Sequence, residues 1–299
     1  MPTTRLPQWL RKSNNFSKDV HSIKKSLRTC SLKTVCEEAR CPNLCECFER
    51  GTATFMIMGD LCTRNCAFCA VRSGTPKPPD PNEPHNLAKL IQKLSLKHVV
   101  ITSVTRDDLG DGGASHFAQS VQKVREFNPK VTIEVLIPDF NLSEKAIKIL
   151  CDSKPDILNH NLETVERLTP IYRDGKASYD GSLKVLSIAS TLLEGMVIKS
   201  GLMVGLGESK EELEKCLRDI YATGCNAITI GQYLRPTRSN PEVTRYVTPE
   251  EFREYEKIAY DMGFKHVFSG PYVRSSYMAE IALSDQQSAL RGRHCLTSI

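Results

Sequence analysis

Most of the chain alternates short β-rich runs with longer stretches of helical period. That alternation confines it to folds made of parallel βα units, since two parallel neighbours need a crossover element between them. The pattern predicts strands over residues 54–59, 98–102, 132–136, 157–161, 199–204 and 227–231, and helices over 87–94, 114–127, 143–150, 179–193, 210–223 and 249–262. Helix starts are marked by Ser143 with Glu144, and by Thr248 with Pro249 and Glu251. Each predicted strand is followed by a polar or glycine-rich segment (60–69, 103–113, 138–141, 161–163, 205–208, 232–236). In a barrel these segments share one rim, whereas in a doubly wound sheet function gathers at a single switch point. The expected fold is therefore α/β, a partial TIM-like barrel of six βα units over residues 54–263. An N-terminal extension (1–53) and a C-terminal extension (264–299) flank it.

A chain of 299 residues can bury one large core without a second domain. Its longest apolar runs are far shorter than the roughly 20 residues that span a bilayer, so a soluble protein with no membrane partner is expected. Net charge is +5, but residues 1–30 carry seven Lys/Arg against the single acid Asp19, which leaves the remainder near neutral. This basic start reads as an arm for an acidic protein partner or as a solvated face. A transit peptide fits less well, because Pro7, Trp9 and Leu10 look like retained fold residues. The charge is not interleaved with aromatics, which argues against nucleic acid. Twelve cysteines fall well below the density of a disulfide scaffold, and no signal-peptide core appears, so a cytoplasmic location is expected. There, clustered cysteines mean metal or catalysis.

Of the seven cysteines within residues 36–69, six read as two triplets. Cys62, Cys66 and Cys69 form C-x3-C-x2-C in the loop after the first predicted strand, with Phe68 before the last. Zinc usually takes four protein ligands. Three thiolates on one loop instead suit a cubane iron–sulfur cluster with one iron left open to a substrate. A zinc site completed by a distant histidine and unbound thiols are the alternatives. Cys36, Cys41 and Cys47 form C-x4-C-x5-C, also one ligand short.

The C-x3-C-x2-C motif, with an aromatic before its last cysteine, resembles that of the radical S-adenosylmethionine (SAM) enzymes. The resemblance implies that Cys62, Cys66 and Cys69 hold a 4Fe–4S cluster whose open iron binds SAM, the source of a 5′-deoxyadenosyl radical. With C-x4-C-x5-C ahead of it and Arg274-Ser275-Ser276-Tyr277 far downstream, the chain resembles the lipoyl synthases. The likeness runs through residues 7–10, 51–55, 105–109, 159–163, 200–208 and 231–234, and its start at residue 7 leads one to expect no cleaved leader.

That resemblance implies a second, auxiliary 4Fe–4S cluster on Cys36, Cys41 and Cys47, with Ser276 as fourth ligand and Ser275 as fallback. It also implies insertion of two sulfur atoms at carbons 6 and 8 of an octanoyl-lysine, in protein lipoylation. The auxiliary cluster is the consumed sulfur source. The implied partners are octanoylated lipoyl carrier domains (E2 subunits of 2-oxoacid dehydrogenases, the glycine cleavage H protein) and ferredoxin or flavodoxin as electron donor. Cys45 departs from the usual pattern and offers a fourth thiol two residues from Cys47. The spacing favours Cys47 as third ligand, with Cys45 as the alternative, and Cys45 otherwise reads as a small buried residue. Biotin synthase and methylthiotransferases lack the paired spacing, and an electron carrier or zinc module leaves the two missing ligands unexplained.

On the predicted rim, Asn161 and Glu163 are placed to hydrogen-bond the methionine or ribose part of the cofactor. Asp108 and Asp111, with Gly112 and Gly113, suit its ammonium, and Arg173 a carboxylate. The plainer readings are helix capping for Asn161 and Glu163 and a turn at Asp111-Gly112. His160 reads as a packed rim histidine, and residues 205–208 resemble a phosphate loop only loosely. Glu37, Glu38, Arg40 and Asn43 are placed to present the acyl-lysine arm. Cys30, Cys151, Cys216, Cys225 and Cys295 read as inert buried thiols.

Overall fold

The structure, a computed structural model, describes residues 6–11, 32–38, 41, 43–49, 51–193 and 195–276. Cys30, Arg40, Tyr277 and Cys295 lie outside the described residues.

All six predicted strands are present: β2 (Thr52–Ile57), β5 (His98–Ser103), β6 (Thr132–Leu136), β7 (Ile157–Asn159), β8 (Val197–Val204) and β9 (Ala227–Gln232). They pair in parallel in that order. β5 and β9 are buried along nearly their whole length, as runs such as His98-Val-Val-Ile-Thr and Ala227-Ile-Thr-Ile require when both faces of a sheet are covered. Two strands extend the sheet beyond the expected repeat. β10 (His266–Gly270) adds in parallel to β9, and β1 (Lys33–Thr34) adds antiparallel to β2. The parallel sheet therefore continues into the segment assigned to the C-terminal extension; His266, Ser269 and Gly270 dilute the apolar pattern that marks the other strands. The order β1-β2-β5-β6-β7-β8-β9-β10 does not close, so the barrel is partial, as expected.

The six predicted helices cover this sheet. The short α1 (Val35–Glu38) and α2 (Leu44–Glu49) precede β2, followed by α3 (Glu83–Lys93), α4 (Ala114–Phe127), α5 (Glu144–Asp152), the short α6 (Thr169–Tyr172), α7 (Tyr179–Leu192), α8 (Lys210–Ala222) and α9 (Pro249–Met262). Each turns an i, i+3/i+4 stripe to the sheet, such as Leu87, Leu90 and Ile91 in α3 or Leu213, Cys216, Leu217 and Ile220 in α8. Ser143 caps α5 by accepting from Ala146 N, and Thr248 with Glu251 makes a reciprocal capping box on α9. Ser209 and Glu212 do the same for α8.

Within the sheet, Lys199 on β8 donates to both Glu134 oxygens on β6 at 3.1 and 3.2 Å, with both side chains fully buried. Asn159 on β7 donates to Glu134 Oε1 at 3.0 Å, and His98 on β5 lies 3.8 Å from Glu134. Cys151, Cys216 and Cys225 are buried free thiols, as their isolation in the sequence predicts. No described helix is long and apolar enough to cross a membrane.

Candidate active site

The second cysteine triplet sits in a loop fastened on every side. β3 (Leu61–Cys62) pairs with β4 (Arg72–Ser73), closing the loop at its base. Thr63 N donates to Thr105 O (3.1 Å), Ala67 N to Tyr172 O (2.8 Å), and Asn240 Nδ2 to the carbonyls of Ala67 and Cys69 (2.8 and 2.9 Å). The loop is thus tied to segments following β5, β7 and β9.

Backbone amides also point at the sulfurs. Cys62 Sγ accepts from Arg64 N (3.4 Å) and Thr105 N (3.3 Å), Cys69 Sγ from Val71 N (3.4 Å), and Cys66 Sγ from Asp174 N (3.3 Å). Burial pushes the Cys66 thiol up and the Cys69 thiol up to about 11; the N–H···S bonds act against this by favouring the thiolate, and such bonds tune an iron–sulfur cluster. Among the described residues, no three Cys, His, Asp or Glu side chains converge on a single metal ion. A cubane asks for something different, because each thiolate binds a different corner.

Beneath this loop, at the C-terminal ends of the strands, lies a cavity of about 390 Å³. Cys62, Cys66, Cys69, Asn161, Glu163, Arg173 and Ser275 all line it. Asn161 Nδ2 donates to Glu163 Oε1 and to Ser275 Oγ, each at 3.1 Å. Glu163 adopts φ 73°, a left-handed backbone that costs free energy and recurs at functional sites. Burial pushes its carboxyl above the usual range, against the lowering effect of Arg173 and Asn161. Asn161 Oδ1, Arg173 Nε and His160 Nε2 are buried with no protein partner. Unmatched acceptors and donors in the lining of one cavity leave it able to take a ligand that carries groups of both kinds. His160 is buried, as expected, with Nδ1 2.9 Å from Ile137 O, and burial together with Arg173 pushes its pKa down to about 4.

At three places on the rim the polar groups already have partners within the chain. Asp108 does not line the cavity, because Arg106 takes its carboxylate in a two-pronged pair at 2.8 Å per prong. Asp111 accepts from Gly113 N and Ser115 N (2.9 and 2.8 Å), which makes it the starting clasp of α4. In the loop 205–208, Glu208 accepts from Gly205 N and Leu206 N at 2.6 and 2.9 Å. Its own carboxylate therefore fills the amide nest that a phosphate would need.

The sequence reading passed over Arg64, buried between two of the cysteines. It reaches Asp139 at 2.5 and 2.8 Å and Asp107 at 2.9 and 3.0 Å. Burial opposes the charge, but Asp139 and Asp107 outweigh it and hold the pKa above its ordinary value. A charged residue inside the C-x3-C spacer was the available signal, since the loop has to fold over it.

None of Cys36, Cys41 and Cys47 of the first triplet is itself part of the cavity lining. Val35 lines the cavity, while the next residue, Cys36, is buried in the core. Burial and neighbouring Cys41 push the Cys36 thiol up to about 11. Cys47 N donates to Asn43 O at 3.0 Å, and Cys41 and Cys45 both pack partly buried against the core. The segment following β10 closes on this triplet. Asn43 Nδ2 donates to Tyr272 O at 2.6 Å, and Arg274 lies within electrostatic reach of Cys41. Gly231 is what lets it approach, because a Cβ there would collide with the Val273 carbonyl. Ser275 lines the cavity; Ser276, half-buried, follows it and is not part of the lining.

Comparison with known proteins agrees with this geometry. Residues 56–220 match the model of the radical SAM superfamily, and residues 2–41 that of the N-terminal domain of lipoyl synthase of the radical SAM family. Solved structures share the fold at low identity. Methylornithine synthase has TM-score 0.50 at 14% identity, covering 92% of this chain and 94% of that one. SuiB of Streptococcus suis bound to S-adenosylmethionine has TM-score 0.56 at 10%, covering 86% and 57%. Among curated relatives, the lipoyl synthase of Caldicellulosiruptor saccharolyticus is 51% identical over 94% of this chain and 98% of its own. That of Caldanaerobacter subterraneus subsp. tengcongensis is 52% identical over 94% and 98%, and that of Thiobacillus denitrificans 52% over 95% and 90%. A conserved length, a matching N-terminal domain and half of all residues in common leave one conclusion: the chain belongs to the lipoyl synthase family of the radical SAM superfamily.

Proposed function

We propose that the chain inserts two sulfur atoms, at carbons 6 and 8, into an octanoyl group carried on a lysine of a lipoyl carrier domain. The observation that carries this reading is the Asn161–Ser275 bond, which puts the Arg274-Ser275-Ser276 run against the residues facing the first cluster position. When bound, a 4Fe–4S cluster with SAM supplies a hydrogen-abstracting radical, and an auxiliary 4Fe–4S cluster supplies the sulfur.

The residues suit these roles. Cys62, Cys66 and Cys69 would hold the first cluster, and the fastened loop keeps its position fixed. Asn161, Glu163 and Arg173 would orient the amino and carboxylate groups of SAM; Asp108, engaged by Arg106, would act on the site only through the loop it stiffens. Cys36, Cys41 and Cys47 would hold the auxiliary cluster with Ser276, whose oxygen is a weaker match for iron than thiolate and so able to leave. The apolar lining, including Met56, Phe68, Leu136, Met203 and Leu234, excludes water from a reactive centre and suits an alkyl chain. Residues 1–53 and the segment after 264 would act as one unit around the auxiliary cluster. Octanoylated E2 subunits and the glycine cleavage H protein are the proposed carriers, ferredoxin or flavodoxin the electron donor, and the cytoplasm the location.

Anaerobic reconstitution tests the reading. The expected result is about eight irons per chain, deoxyadenosine release with SAM and reductant, and a lipoyl product on an octanoylated carrier peptide seen by mass. Bound zinc with no nucleoside formed would overturn it. Ser276→Cys is expected to block lipoyl formation while deoxyadenosine release persists; unchanged lipoyl yield would remove Ser276 from the ligand set.

A further inference from the structure

Among the described residues three arginines line the cavity, and their surroundings differ. Arg64 is held by two carboxylates, Asp107 and Asp139. Arg173 donates to Ser182 Oγ and interacts with Glu163. Arg274 has no carboxylate within ion-pair distance among the described residues, and its hydrogen bond is from Nη1 to the carbonyl of Val273, at 2.7 Å.

A guanidinium drawn in from solvent with no counter-charge is costly. It persists where an anion completes it. Its anion-forming neighbours are Cys41 of the first triplet and, after it, Tyr272. The backbone carrying Arg274 is also positively placed there, by the Asn43 bond to Tyr272 O and by the space that Gly231 leaves for Val273. A plain structural pairing with a carboxylate, the ordinary role for an arginine in a polar turn, is not what the described residues provide.

We infer that Arg274 is a positioning residue that supplies the counter-charge to an anionic iron–sulfur cluster on the first cysteine triplet. This rests on the two-cluster reading above and adds a role for a residue that is not a ligand. Three thiolates and an alkoxide around a 4Fe–4S core make a net anion, and a fixed cation beside it favours its more reduced, more negative state. The same charge slows loss of iron from a cluster that has one weak ligand.

The test uses the full chain with Cys62, Cys66 and Cys69 all changed to Ala, so that cluster signals come from the first triplet alone. After anaerobic reconstitution, iron release to a chelator and the midpoint potential are measured for this parent, for Arg274→Gln and for Arg274→Lys. Arg274→Gln is expected to release iron about tenfold faster or more and to shift the potential downward. Arg274→Lys, keeping the charge, is expected to move less in both. Should the glutamine variant not fold by circular dichroism, Arg274→Met, closer in shape to the arginine stem, takes its place. Unchanged release and potential without the charge, or equal damage from lysine and glutamine, would overturn the inference. A parent that takes up no cluster would instead overturn the two-cluster reading, and the role of Arg274 with it.

Discussion

A lysine with no exposed surface is tolerable only while its counter-charge stays in place. Lys199 and Glu134 meet that condition across three strands, with Asn159 taking up one of the carboxylate's remaining positions. Removing one partner leaves the other charge stranded, whereas an apolar pair of similar volume avoids the desolvation cost altogether. Lys199→Met is expected to lower stability by about 3–5 kcal/mol, and the double variant Lys199→Met/Glu134→Leu to recover most of that loss, as read by denaturant melts. At this scale the sequence was partly legible. The cysteines of the second triplet, with Asn161, Glu163 and Arg173, announced themselves by spacing or by position after a strand, and the cavity gathers them. Arg64 with Asp139, 75 positions apart, and Lys199 with Glu134, 65 apart, did not. A long-range ion pair leaves no periodic trace, and a charged residue in a strand reads locally as solvent-facing.

At the level of elements, local chemistry and tertiary packing point the same way in all six helices the sequence marks. α8 is a case where the cap also joins elements. Glu212 accepts from Ser209 N at 2.8 Å, and its carboxylate is shared with Arg167 at 2.6 and 2.9 Å. Arg167 precedes α6 and also donates to the Gly207 carbonyl at 2.8 Å, so the start of α8 is tied to the loop after β7. Ser209→Ala is expected to cost about 1 kcal/mol in chemical denaturation while leaving SAM cleavage near the parent level; a change under a quarter of that size would show that the Arg167 pair alone holds the helix start. The elements missed from sequence share a physical cause. β1 is two residues long, below any window in which alternation can be seen, and β10 is an edge strand in which only Val267 and Phe268 carry an apolar signal.

For the molecule as a whole, buried histidines set how stability responds to acid. Burial, reinforced by Lys199, pushes the pKa of His98 from 6.5 down to about 3. Above pH 6.5 the ring is neutral in folded and unfolded chains alike. As pH falls below that value the unfolded chain takes up a proton that the folded chain refuses, so stability is lost between about pH 6.5 and 3. Thermal melts at pH 8 and pH 5 are expected to show a drop in Tm that is smaller in His98→Gln than in the parent; an equal drop would place the acid sensitivity elsewhere. The open sheet belongs to this scale too, and neither composition nor periodicity foretold where it would stop, because closure depends on how eight strands tilt together. Its two margins, β1 and β10, never pair, and the polypeptide beyond each is linked by the Asn43–Tyr272 bond. A horseshoe differs from a ring in what it admits. A hydrocarbon still leashed to a bulky protein can be laid in sideways and drawn out again without being cut free, so selectivity is expected to rest on the leash and its owner as much as on the eight-carbon tail.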